Sequence, residues 1–241
     1  LKPKTPISKR LADTRFLAAR HGVAYEILRS LRIGWEFARG FIALRKVGSA
    51  VTVFGSARFG EGHPHYDLAR RTGAALAAAG LTVITGGGPG IMEAANRGAR
   101  ESGGPSLGLG IALPHERGHN AYLDRHAVFS YFFVRKVMLI KYSYAFVILP
   151  GGVGTLDELT EALTLIHTGK LHDFPVILMG REYWRGFNDW LADVLVEKGA
   201  VSAENLANLH VTDDPAEAAR IILAALAHTD LRIESRKSLA D

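Results

Sequence analysis

The sequence predicts an α/β fold: a doubly wound, mostly parallel Rossmann-like sheet with an N-terminal helical extension. Three observations predict it. From residue 50 onward, short apolar runs alternate with longer stretches of helical periodicity, the order expected of a parallel sheet wrapped by helices. The runs are apolar at successive positions, as in strands covered on both faces. Three glycine-bearing turns, Gly55-Ser56-Ala57-Arg58, Gly86 to Gly90 and Gly151 to Thr155, each follow such a run. In a doubly wound sheet all three face the carboxyl ends of the strands, where ligands bind.

Residues 1–47 read as a basic helical extension. Residues 1–10 form a flexible lead. Leu11, Phe16, Ala19, Val23, Ile27, Leu31, Trp35, Ala38 and Ile42 then recur at helical spacing, which gives one or two amphipathic helices with a break near Gly22 or Gly34. The main domain spans 48–228. Its strands are expected at Ala50–Phe54, Leu81–Thr85, Leu107–Leu113, Ala127–Phe132, Tyr144–Leu149, Val176–Met179 and Leu209–Thr212. Its helices are expected at Tyr66–Ala79, from the second glycine turn through Arg100, and at Val134–Tyr142, Thr155–His167, Tyr183–Lys198 and Pro215–Ala227. Residues 229–241 form a polar, frayed tail.

With 241 residues, 48% hydrophobic and 22% charged, the chain supports one large globular domain. It has no cysteine, which excludes disulfides, thiolate catalysis and cysteine-ligated zinc, and suits a cytoplasmic protein. No stretch is long and apolar enough to span a membrane, and no signal peptide is visible behind Leu1-Lys2-Pro3-Lys4. Residues 1–46 hold 11 Lys/Arg against 3 Asp/Glu, whereas the rest hold 18 against 21. The body is thus slightly acidic. The basic segment reads as a solvated helical arm, with an anionic partner as the alternative.

The third turn, Pro150-Gly151-Gly152-Val153-Gly154-Thr155, precedes a helix and offers backbone N–H groups at the positive end of its dipole, a cradle for phosphate. Ser56 and Arg58 of the first turn and Gly86, Gly87 and Gly88 of the second converge on the same edge. Neither a dinucleotide G-x-G-x-x-G nor a P-loop is present. Glu158 lies one helical turn into the helix-forming segment that follows this third turn. It is either the fourth residue of a T-x-x-E capping box with Thr155, or an ionised carboxylate beside a sugar, able to stabilise an oxocarbenium-like centre, attack it or activate water. The dipole favours its ionised form by up to ~1 kcal/mol, which makes it a poor general acid at neutral pH. Glu161 follows on the same helical face. Arg135, followed by Lys136, offers a planar fork for a phosphate or ribose hydroxyl. His115-Glu116-Arg117-Gly118-His119 matches H-E-x-x-H, but Pro114 and Gly118 break the helix a zinc site needs. The segment reads instead as a loop over the pocket that brings Asn120 and Tyr122 near a ligand. No metal site is expected.

Three stretches together carry a resemblance: Thr85 to Asn96 (T-G-G-G-P-G-I-M-E-A-A-N), Arg135-Lys136, and Pro150 to Glu158 (P-G-G-V-G-T-L-D-E). They resemble the LONELY GUY family, cytokinin riboside 5′-monophosphate phosphoribohydrolases that often carry a lysine decarboxylase label. The resemblance covers about residues 48–228, and the extension is similar to the longer bacterial type. It implies cleavage of a purine nucleoside 5′-monophosphate to free base and ribose 5-phosphate, without a required cofactor; a Mg²⁺ beside the phosphate stays open. It implies Arg135 and Glu158 as catalytic residues and Gly151, Gly152, Gly154 and Thr155 as the phosphate turn. Gly86 to Gly88 and Met92 would border the nucleotide, with Lys136 and Glu161 beside the pocket. Glu93 stands where shorter members often have glycine. It implies a homo-oligomer, dimer or hexamer; the hydropathy and the acidic body separately argue against a membrane or nucleic acid as partner. Three other readings stand beside it: a general AMP or purine nucleotide nucleosidase in salvage, a non-catalytic nucleotide or molybdenum-cofactor binding protein, and a DNA-binding module, which the acidic body disfavours.

Overall fold

A computed structural model describes residues 22–112 and 118–238, with side chains described to residue 228. The expected lead, the first half of the extension and most of the H-E-x-x-H segment lie outside the described residues. Seven strands form one parallel sheet: β1 (Ala50–Phe54), β2 (Thr82–Thr85), β3 (Ser106–Ile111), β4 (Arg125–Phe129), β5 (Ala145–Ile148), β6 (Val176–Met179) and β7 (Leu209–Thr212). Their order is β4-β3-β2-β1-β5-β6-β7, and every pair is parallel. The chain runs outward from β1 in one direction and returns to β5 for the other. The switch point therefore lies between β1 and β5, and the turns after those two strands flank the crevice.

Helices cover both faces, as the apolar runs require. On one face, α2 (Pro64–Ala78), α3 (Ile91–Glu101) and α7 (Pro215–Ser238) pack Leu76, Ile91 and Ile222 on Val51, Val53, Val83 and Val147. On the other, α1 (Val23–Leu44), α4 (Phe132–Lys141), α5 (Val153–His167) and α6 (Arg181–Trp190) pack Leu44, Met138, Leu159 and Trp184 on Phe54, Ile84, Phe146 and Leu178. Val51 and Val53 serve the first core, whereas Ala50 and Phe54 serve the second. That split is the period-2 alternation of a strand. α2 and α3 cross so closely that a Cβ on Gly73 would meet the Ala95 carbonyl oxygen at 2.0 Å, and one on Gly98 the Arg70 carbonyl oxygen at 1.8 Å. Glycine is needed at both crossings.

Several boundaries differ from expectation, each for a local reason. α1 runs unbroken through Gly34, because the ~1 kcal/mol cost of a mid-helix glycine is smaller than what tertiary packing returns. Its buried Glu36 accepts the Ser130 N–H. That bond takes Ser130 out of the ladder, so β4 ends at Phe129 rather than Phe132, and Tyr131 starts α4 as its N-cap. α6 ends at Trp190 and passes into a π-helical turn, Leu191–Val196. α7 continues past Ala227 to Ser238; the segment 228–238 has neither glycine nor proline to stop it. Its polarity had suggested a tail.

Candidate active site

The three glycine turns are stitched together at the carboxyl edge. The Ser56 N–H donates to the Pro150 carbonyl at 3.0 Å, and the Ile91 N–H donates to the Ser56 carbonyl at 3.0 Å. A Cβ on Gly90, which has φ +70°, would strike the Ser56 carbonyl oxygen at 2.6 Å. Only glycine allows that approach.

Two cavities open along this edge. The smaller, about 270 Å³, is lined by Ser56, Ala57 and Arg58 of the first turn and by Gly152, Gly154, Thr155, Asp157 and Glu158. It sits at the start of α5, whose first N–H groups have no intrahelical partner. The larger, about 510 Å³, is lined by Gly86, Gly87, Gly88, Gly108, Ile111, Leu123, His126 and Val128 among others. Met92, Phe132 and Arg135 line both. The result is one bipartite cleft, with an anion cradle at one end and a glycine-floored, mostly apolar chamber at the other.

Glu158 and Arg135 meet at the junction. Arg135 Nη1 lies 3.7 Å from Glu158 Oε1, and both side chains are largely buried, at 13% and 6% exposure. Arg135 is aimed by its Nε, which donates to the Leu109 carbonyl of β3 at 2.7 Å. A Cβ on Gly86 would collide with Arg135 Nη2 and Met92 Sδ, each at 2.7 Å, so the second turn makes room for the guanidinium. Glu158 Oε2 is buried without a hydrogen-bond partner. Burial pushes its carboxyl up to about 7; Arg135 and then Lys136 pull it down, and Glu161 and Asp157 push it up.

This removes one of the two readings of Glu158 and overturns one expectation. The capping box is absent: α5 begins at Val153, its N-cap is Gly152, and no side chain caps it. Thr155 is therefore inside the first turn, and Glu158 points into the cleft. Burial also outweighs the helix dipole, so Glu158 is not a fully ionised carboxylate at neutral pH.

Lys136 and Glu161 stand behind this pair and not in the cleft. Lys136 Nζ holds Glu161 at 2.9 Å and Asp157 at 3.0 Å. Burial works to lower the Lys136 pKa, but the bonds to Glu161 and Asp157 outweigh it and the net shift is upward. The ammonium draws Glu161 to itself, so only Glu158 of the two glutamates borders the cavities. Glu93 also lies outside the lining, and accepts from the Tyr66 hydroxyl at 3.1 Å. Asn120 does not face a ligand either. It clips the second turn, with its N–H on the Gly87 carbonyl and its amide donating to Gly88 and Asn96. Tyr122 lies beneath the Arg97 guanidinium, 5.5 Å from ring centroid to carbon.

Some site residues lie in no motif, His126 and Ser106 among them, and others have a role that their motif does not show. His119 and His126 lie against each other on the wall of the large chamber, with ring centroids 4.0 Å apart and planes tilted by 39°. A buried network of Thr85, Asn96 and Ser106 braces the second turn, with the Gly87 N–H donating to Thr85 Oγ1 at 2.9 Å. Among the described residues, no group of three acidic or imidazole side chains is placed to hold a metal.

A family model described as possible lysine decarboxylase matches residues 92–222, more than half of the chain. The chain belongs to that family, LONELY GUY. A cytokinin riboside 5′-monophosphate phosphoribohydrolase of Rhodococcoides fascians is 35% identical over 64% of this chain and 79% of its own length. Among solved structures, TM1055 covers 73% of this chain with 99% of its own, at 28% identity and TM-score 0.57. The molybdenum cofactor carrier protein of Chlamydomonas reinhardtii covers 74%, with 98% of its own, at 25% identity and TM-score 0.53. That family match begins at Met92, one of the three residues shared by the two cavities.

Proposed function

We propose that this protein hydrolyses the N-glycosidic bond of a purine nucleoside 5′-monophosphate of the N6-substituted adenosine type, releasing free base and ribose 5-phosphate. The observation that carries this reading is the bipartite cleft with a buried carboxylate and guanidinium at its junction. The cradle at α5 suits the 5′-phosphate, the chamber suits the base, and the ribose between them meets Glu158 and Arg135. Binding energy from the phosphate positions the sugar. As the bond from C1′ to the base nitrogen lengthens, ionised Glu158 stabilises the positive charge at the sugar or takes a proton from the attacking water. The water oxygen ends on C1′ and a proton ends on the base. Arg135 orients the nucleotide and donates to the departing base.

The relative from Rhodococcoides fascians supports this reading. Ile111, Leu123 and Val128 give the chamber apolar walls for an N6 substituent. The lysine decarboxylase description does not fit the site: among the described residues no lysine lines either cavity, so none of them offers a side chain for a Schiff base. The test incubates the protein with AMP, isopentenyladenosine monophosphate and adenosine, and follows free base by chromatography. Base is expected from both nucleotides, faster from the substituted one. Adenosine is expected to react at least about 100-fold more slowly, because it lacks the phosphate. No base from either nucleotide would leave a binding protein as the better reading, the one the likeness to the molybdenum cofactor carrier favours.

The same reading extends to assembly and place. α1 exposes Leu28, Leu31, Trp35 and Ile42, each more than half accessible, and α4 exposes Phe133 and Val137. A helix apolar on its outer face as well as its inner one is covered in an assembly, and a homo-oligomer covers it here. Light scattering after size exclusion is expected to give a dimer or larger, and Trp35→Glu a smaller mass. Among the described residues no helix is long and apolar enough to cross a membrane. A nucleotide substrate and a cysteine-free chain fit the cytoplasm.

A further inference from the structure

The Tyr183 hydroxyl on α6 donates to the Gly151 carbonyl at 2.7 Å. None of the described peptide bonds is cis, so in the peptide joining Gly151 to Gly152 the C=O and N–H point in opposite directions. Tyr183 lies outside the cleft lining, whereas Gly152 is part of it. With the carbonyl drawn out toward Tyr183, the Gly152 N–H is turned in toward the cradle, where no acceptor among the described residues takes it.

We infer that Tyr183 is a positioning residue for phosphate: it holds the Gly151–Gly152 peptide in the orientation that presents an N–H, and not a carbonyl oxygen, to the anion. Glycine on both sides makes this control necessary. Gly152 has open space where a Cβ would be, so its own conformation does little to stop a flip. A flipped peptide would put a carbonyl dipole against a dianion. Gly151 is glycine for another reason, since a Cβ there would strike Thr155 Oγ1 at 2.1 Å.

Tyr183 is itself held. Its ring packs edge-on against Trp184, with centroids 5.0 Å apart, and against His65 at 5.9 Å. The start of α6 is anchored by the Arg181 N–H on the Asp213 carboxylate at 2.8 Å and by the Gly180 N–H on the Thr212 carbonyl at 3.2 Å. Gly180, at φ +101°, brings the helix against the Pro150 ring. The cradle between β5 and α5 is thus buttressed from a helix that contributes no atom to the cleft.

This inference rests on the reading of the cradle as a phosphate site, and the test separates the two. Calorimetry measures the affinity of the whole protein, of Tyr183→Phe and of Trp184→Phe for ribose 5-phosphate. Tyr183→Phe keeps both ring contacts and loses only the hydroxyl. Its affinity is expected to fall about five- to tenfold, the worth of one hydrogen bond. KM for a nucleoside 5′-monophosphate should rise by the same factor, with kcat within about twofold. Trp184→Phe disturbs the buried neighbour and is expected to lower Tm without weakening ribose 5-phosphate binding. Unchanged affinity in Tyr183→Phe overturns the inference, as does an equal loss in both variants, which would mark general softening of α6. If the parent protein itself fails to bind ribose 5-phosphate, the phosphate reading falls and the inference with it.

Discussion

Glu158→Gln is expected to lower the rate of base release by about 10³-fold while nucleotide affinity stays within a few-fold, which places the loss in the transition state. Glutamine keeps the shape of a side chain that is 6% exposed and loses only the charge. Among the described residues, no other group in the cleft replaces that charge. Asp157 also lines the cradle, but its carboxylate is more than half accessible and tied to Lys136 at 3.0 Å, so water and the ammonium screen it. Asp157→Asn is therefore expected to change the rate only a few-fold. Arg135→Ala should cost about 10²-fold or more, because one side chain both lines the two cavities and faces Glu158. Arg135→Lys should not restore it, since a single ammonium cannot bond the Leu109 carbonyl and face the cleft at once. Steady-state rates on a nucleoside 5′-monophosphate, with base quantified by chromatography, check all four. Full activity in Glu158→Gln would remove the carboxylate from the mechanism.

What the chain declares about itself and what it conceals follow from the range of the interactions. Ala50–Phe54, Val176–Met179 and Leu209–Thr212 are strands with the limits their composition predicts, because each is an apolar or β-branched run closed by a turn. The convergence of three glycine turns was equally legible, since a parallel sheet must bring such turns to one edge. The end of β4 was not. Ala127 to Phe133 is a run that suits strand and helix alike, and the carboxylate that ends the strand, Glu36, is 94 residues away. From the residues alone, Glu158 stayed open between cap and catalyst for a different reason. T-x-x-E reads as a cap whenever the helix begins at the threonine, and only the tertiary fold shows that α5 begins earlier, at Val153. Lys136 and Glu161 sit where a motif suggests ligand contacts, yet they pair with each other because the sheet brings α4 beside α5. Tyr183, 32 residues from the carbonyl it holds, belongs to no pattern in the sequence.

Burial of Glu158 should be visible in stability as well as in rate. Its carboxyl titrates near 4.5 when unfolded and is pushed up to about 7 in the fold. Between those values the folded state binds the extra proton. The group's contribution is therefore full below pH 4.5, and is lost as pH rises to about 7. The loss is on the order of 3 kcal/mol for a carboxyl buried this completely. Glu158→Gln removes that titration, so its Tm should match the parent's near pH 4.5 and exceed it by about 5 °C or more at pH 8. Equal melting temperatures at pH 8 would mean the carboxylate finds a partner the fold does not show. In turnover the same group, acting ionised, gives kcat/KM an acid limb with its midpoint near 7. Arg135→Ala should move that limb to higher pH, since the guanidinium pulls the carboxyl down. Activity that falls above pH 7 would instead make Glu158 a proton donor. A bound phosphate dianion adds like charge within the same cleft, so the limb in kcat should lie above the limb in kcat/KM. The carboxylate is thus costly to the empty protein at the pH where it works, and a site kept at that cost is one selected for chemistry and not for stability.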